Sequence, residues 1–154
     1  MRGFLAGWGV RIAIIAVIAA GAFLLRDRLS GNAGDLAVGD CFDEPTAATE
    51  TVEDVQHHPC TEAHTAEVVF VGGMPGATDT YPTDDEFLVA VQEQCVPAYN
   101  SYTGGDFETD TDYDLGYFVP TSEGWSGGDR EIICYAYRPD GVPQTTSIRA
   151  GGGG

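Results

Sequence analysis

With residues 1–28 set aside, a chain of 154 residues holds one compact domain and too little scaffold for an α/β-hydrolase fold. Residues 1–28 carry a net +3 and the rest of the chain −20, without a single lysine. A field of that sign repels nucleic acid and anionic lipid headgroups, so neither is expected as a partner of the acidic part. Solubility accounts for such a charge, as does attraction of cations or of a basic partner surface.

Residues 12–25 are uniformly apolar or small, and the run reaches back to Gly3 with only Arg11 interrupting. Residues 3–25 therefore cover the roughly 20 positions that a helix needs to cross a bilayer. Arg11 is close enough to the end to snorkel, and Trp8 suits the interfacial aromatic belt. A cleaved signal peptide shares this pattern, but Arg26-Asp27-Arg28 follow directly and Gly31-Asn32-Ala33 is a poor cleavage site. Residues 1–28 are accordingly expected to be a membrane anchor and residues 29–38 a small-residue linker. The flanking arginines leave the orientation nearly tied. Cys41, Cys60, Cys95 and Cys134 all follow the span, and an even number in a small domain favours disulfides and an extracytoplasmic location. The expected topology is a single-pass plasma membrane protein with its N-terminus in the cytoplasm.

The domain is expected over residues 39–149. A short strand at Cys41 and Phe42 precedes a Thr/Glu-rich loop and a weakly alternating stretch at 52–56. AEVVFV, residues 66–71, is a strong β-run ending in a turn-rich passage. A helix follows, with Thr83 as N-cap, Glu86 completing a capping box, and Asp84 and Asp85 at the positive end of the dipole. Phe87, Val91, Cys95, Ala98 and Tyr102 share one face, and Pro97 is expected to bend or shorten the helix. After an acidic loop, residues 113–119 and 131–138 form a hairpin across a Ser/Gly-rich connection. In its second strand Ile132, Cys134 and Ala136 oppose Ile133, Tyr135 and Tyr137, so both faces need cover. Residues 150–154 read as a flexible tail.

Gly124-Trp125-Ser126-Gly127-Gly128 satisfies the G-x-S-x-G pattern of a nucleophile elbow. An elbow needs a helix after the serine, and here a strand follows; no histidine lies beyond it either. His57-His58-x-Cys60-x-x-x-His64 is compact enough for zinc or copper, yet an oxidised Cys60 offers no thiolate, so His64 is expected to be a hydrogen-bonded histidine heading a strand. Asp110-x-Asp112-x-Asp114 resembles the start of a calcium loop but has Leu115 where glycine is needed and Thr121 where glutamate is needed, which favours a solvated loop. Asp43, Glu44, Asp129 and Arg130 suit acid/base chemistry as well as structural salt bridges, and the sequence does not separate the two; Asp129 and Arg130 are expected to close or orient the hairpin, with Trp125 covering the sheet. No cofactor or metal is expected.

The order of short motifs resembles the septum formation domain family, exported anchored proteins of high-GC Gram-positive bacteria. The matching pieces are Gly39-Asp40-Cys41-Phe42, Pro59-Cys60, Ala63-His64, Ala66-Glu67-Val68, Cys95 with Tyr99 and Tyr102, Tyr117, Pro120-Thr121, Trp125, Gly128-Asp129-Arg130, Cys134 and Ser147-Ile148-Arg149. Ala63 stands where the family usually has proline, and the acidic loop carries more charge than the family pattern. The resemblance implies an exported domain associated with division septa and no established enzymatic activity. Four cysteines allow three pairings; we favour Cys41 with Cys60 and Cys95 with Cys134, which would tie helix to sheet.

The expected fold is α+β: a small antiparallel sheet of four or five strands, one main helix packed on it, two disulfides and an N-terminal transmembrane helix. The expected function is a non-enzymatic binding or scaffolding module of the cell envelope, with an envelope or division protein as partner. The alternatives are a metal-dependent or hydrolytic cell-wall enzyme and an envelope sensor domain.

Overall fold

The computed structural model describes residues 30–45, 52 and 54–151. The expected anchor at residues 3–25 lies outside them, and no described helix is long and apolar enough to cross a membrane. The strands are β1 (Ser30–Asn32), β2 (Cys41–Asp43), β3 (Asp54–His58), β4 (Ala66–Gly73), β5 (Asp114–Phe118) and β6 (Glu131–Tyr137). They form one antiparallel sheet of six strands in the order β1-β3-β2-β4-β6-β5.

The sixth strand corrects the sequence reading of residues 29–38 as a linker. Ser30, Gly31 and Asn32 pair with Gln56, Val55 and Asp54, and a turn at Ala33–Asp35 follows directly. Ala33 and Leu36 are then buried against Phe42, Val55, Ala66, Val68, Ile133 and Tyr135. Through Ala33 and Leu36 this segment covers part of one face of the sheet.

The opposite face receives α1 (Asp84–Thr103). Thr83 Oγ1 accepts from Glu86 N, and Glu86 Oε2 accepts from Thr83 N at 2.8 Å, forming the expected capping box. The helix continues through Pro97 and ends at Gly104, whose positive φ of 71° closes the last turn. Its buried stripe is Phe87, Ala90, Val91, Cys95 and Tyr99, while Tyr102 is half-buried.

On β6 the two apolar sets separate as expected: Ile132, Cys134 and Ala136 face α1, and Ile133 and Tyr135 face the other way. The β4–β6 register shifts between Val68 and Phe70, so Val69 and Phe70 both join the α1 side. The β5–β6 hairpin is joined through a short helix, α2 (Ser122–Ser126), where a plain loop was expected. Gly116 on β5 faces Tyr135, and a Cβ there would lie 2.2 Å from the tyrosine ring, so the missing side chain is what lets that ring lie over the edge strand.

Both favoured disulfides are present. Cys41–Cys60 staples β2 to the turn after β3, and Cys95–Cys134 joins α1 to β6.

Candidate functional site

Several of the resembling motifs converge on one buried knot. Glu67 sits in β4, opposite Cys41 of β2, and is fully buried on the α1 side of the sheet. A buried carboxylate is tolerated only if its acceptors are used. Here Glu67 Oε1 accepts from Tyr102 Oη at 2.5 Å and from Ser147 Oγ at 2.6 Å, and Oε2 accepts from Ile148 N at 2.9 Å. The Arg149 guanidinium lies 4.7 Å from the Tyr102 ring centroid and adds positive charge near the carboxylate. Burial first, and the Glu67 hydrogen bond second, push the Tyr102 phenol above its ordinary range.

Gly39 completes the knot. Its φ is +96°, and a Cβ there would lie 2.9 Å from Arg149 Nη2, so a side chain would collide with the guanidinium. The C-terminal segment is held along its length: His64 and Gln144 exchange backbone hydrogen bonds, and Ala150 N donates to Tyr102 O at 2.8 Å. Ala150 therefore does not belong to a flexible tail, while residues 152–154 lie outside the described part.

His64 is fully buried beside this knot, with Nδ1 2.8 Å from the Glu62 carbonyl oxygen. The compact histidine motif is dispersed by the fold. His57 and His58 alternate across β3; His58 Nε2 lies 2.9 Å from Asp43 Oδ2, and Cys60 is in its disulfide. What gathers instead is Cys41, His64 and Glu67, whose candidate ligand atoms lie within 4.8 Å of one another.

A second cluster closes the β5–β6 hairpin. Trp125 is buried in edge-to-face contact with Tyr81 and Phe87, and its Nε1 donates to Thr78 O. The Arg130 guanidinium lies 3.9 Å from the Trp125 ring centroid, and its Nη1 donates to the carbonyls of Trp125 and Asp129. Asp129 Oδ1 accepts from Glu131 N at the start of β6. Asp129 and Arg130 thus set the chain's entry into β6 through backbone groups. Ser126 ends α2, preceding a turn and then a strand, and its Oγ donates to Ser122 O.

In the acidic loop Asp110 Oδ2 accepts from Tyr99 Oη at 2.6 Å, and Oδ1 accepts from Asp112 N. The tyrosine's bond holds the Asp110 carboxyl below its ordinary value. Asp114 Oδ1 accepts from Leu115 N. Asp43 takes up His58, whereas Glu44 is held above its ordinary value by burial at the rim of the Tyr135 face.

Sequence reasoning marked His64, Trp125, Asp129, Arg130 and the cysteines but missed Glu67 as the centre of the knot. The signal was available: an acid inside a strand that is apolar on both faces, in a domain with no lysine to pair with it.

A family model described as "Septum formation" matches residues 38–151. No curated protein and no solved structure matches the chain.

Proposed function

The chain belongs to the septum formation family, and on that premise we propose that it is a non-enzymatic, membrane-anchored, extracytoplasmic binding module that acts in division of the cell. The observation that carries this reading is where the motif residues are used. Glu67, Tyr102, Ser147, Trp125, Asp129 and Arg130 are engaged in contacts within the domain, so they hold a shape, and the work of that shape falls to its surface. Two disulfides among four cysteines support an oxidising location, and residues 3–25 have the composition of a span that would hold the domain there.

The domain follows that segment closely. The sheet begins at Ser30, which leaves residues 26–29 as the only spacer from the apolar run, at most about 14 Å of extended chain. A domain so tethered works at the membrane surface, and its −20 charge fits a basic partner surface.

The test is photo-crosslinking of the full-length chain in its native membrane, with the crosslinker placed at exposed positions such as Leu88 and Val89. Recovery of division or envelope proteins is expected. Recovery of none, or a chain found in the cytosol with reduced thiols, would defeat the reading.

A further inference from the structure

The cluster beside the Cys41–Cys60 disulfide holds more donor capacity than the oxidised fold uses. A ring nitrogen of His64, a carboxylate oxygen of Glu67 and Cys41 Sγ lie within 4.8 Å of one another, and all three residues are buried. The Glu62 carbonyl can only accept, so the 2.8 Å contact puts the proton of neutral His64 on Nδ1 and leaves the Nε2 lone pair free. Nε2 is buried and has no hydrogen-bond partner. A histidine whose tautomer is fixed by a backbone carbonyl is oriented as metal-binding histidines are. Glu67 has capacity left as well. A carboxylate offers about four acceptor positions; Tyr102 and Ser147 occupy Oε1 and Ile148 N takes one at Oε2, leaving the other at Oε2. Cys60 brings a second sulfur, bonded to Cys41 and in a C-x-x-x-H spacing with His64.

We infer that this cluster is a redox-gated zinc site, closed while Cys41 and Cys60 are joined and, once they are reduced, holding one Zn²⁺ on Cys41, Cys60, His64 and Glu67. A dithiol reductant breaks the sulfur–sulfur bond, delivers two electrons and two protons, and leaves as its own disulfide. Zn²⁺ then displaces both thiol protons, giving two thiolates, a neutral imidazole and a carboxylate, a donor set that zinc accepts. Zinc bonds of about 2.0–2.3 Å set tetrahedral ligand atoms about 3.3–3.8 Å apart, so the Cys41, His64 and Glu67 donors, now within 4.8 Å of one another, need to close by about 1.5 Å at most, while the Cys60 sulfur moves off Cys41 into the fourth position. The ion would replace the covalent link between β2 and the turn after β3, keeping that corner of the sheet joined in either redox state. This site stands independently of the membrane and partner reading above.

The test uses the full-length chain in detergent micelles, reduced with a phosphine that does not compete for metal, and titrated with Co²⁺ and then Zn²⁺. One Co²⁺ per chain is expected, with thiolate-to-cobalt charge transfer and tetrahedral d–d bands that Zn²⁺ abolishes. The bands should survive in Cys95→Ser/Cys134→Ser, vanish in Cys41→Ser/Cys60→Ser, and require at least about 10-fold more Co²⁺ in His64→Gln. A second measurement needs no variant: Zn²⁺ added to the reduced wild-type chain should slow alkylation of Cys41 and Cys60 at least about 10-fold, read by peptide mapping, and leave Cys95 and Cys134 unprotected. Absence of charge-transfer bands in the wild type, equal bands in Cys41→Ser/Cys60→Ser, or alkylation of all four cysteines at unchanged rates would overturn the proposal.

Discussion

Replacing Glu67 with alanine leaves three donors, Tyr102 Oη, Ser147 Oγ and Ile148 N, without the acceptor they share. A buried donor left unsatisfied costs about 1–3 kcal/mol. Tyr102 and Ser147 are half-buried, so water recovers part of that penalty. Summed over the three donors and discounted for that water, the expected loss is about 3–5 kcal/mol. For a domain the size of residues 38–151, about 1 kcal/mol moves the melting midpoint by about 4 °C, so Glu67→Ala should lower it by about 12–20 °C.

Glu67→Gln should fall between the two. It keeps one carbonyl oxygen but turns an NH₂ group toward a donor. The assay is thermal denaturation of the full-length chain in detergent micelles with both disulfides intact, followed by far-UV circular dichroism. Amide exchange supplies a local readout, because Ile148 N donates to Glu67 and Ala150 N donates to Tyr102 O, which loses its anchor in the variant. Both amides should exchange much faster in Glu67→Ala. A midpoint within about 2 °C of wild type, with unchanged exchange at Ala150, would refute the view that this carboxylate docks the C-terminal segment.

Gly39→Ala forces a positive φ on a residue with a side chain and pushes its Cβ against Arg149 Nη2; a loss of about 1–3 kcal/mol is expected by chemical denaturation, partly relieved in Arg149→Ala. The two disulfides should rank by loop length: removing Cys41–Cys60, separated by 19 residues, should cost about 3 kcal/mol, and removing Cys95–Cys134, separated by 39, about 4 kcal/mol, so equal or inverted losses would point to native-state strain. Tyr99 and Tyr135 are both pushed up from the ordinary 10.0, burial being the larger cause and nearby carboxylates the next, so stability present below pH 10.0 should fall as pH rises above it. Asp110 is held below its ordinary 3.8 by Tyr99, so its contribution is present above pH 3.8 and lost as pH falls through its lowered value. The gap in melting temperature between wild type and Tyr99→Phe should therefore narrow at the acid end, and a gap constant with pH would contradict this assignment.

The elements legible in the sequence are those whose cause is local. Thr83 and Glu86 satisfy each other's backbone donors within one turn, so the start of α1 could be read directly. The alternation on β6 was visible because both of its faces are covered. β1 carries no such pattern; Ser30, Gly31 and Asn32 become a strand because β3 offers an open edge and Ala33 and Leu36 find a core behind it. In α2, Ser122–Ser126, poor helix formers are held by the Thr121 cap and by burial of Trp125, and neither is apparent without Tyr81 and Phe87 in place.

Glu67 joins the two kinds of information. Its position in a strand apolar on both faces already implied a buried acid, and without lysine in the chain no ammonium group could answer it. The donors that answer it are hydroxyls and a backbone amide. They come from Tyr102 at the end of α1 and from Ser147 and Ile148, 80 or more positions along the chain, with Arg149 adding positive charge over the Tyr102 ring. The fragments around Gly39, Glu67, Tyr102 and Ser147 to Arg149, individually weak in the sequence, are therefore one contact network, and the physical requirement that ties them together is satisfaction of a single buried carboxylate.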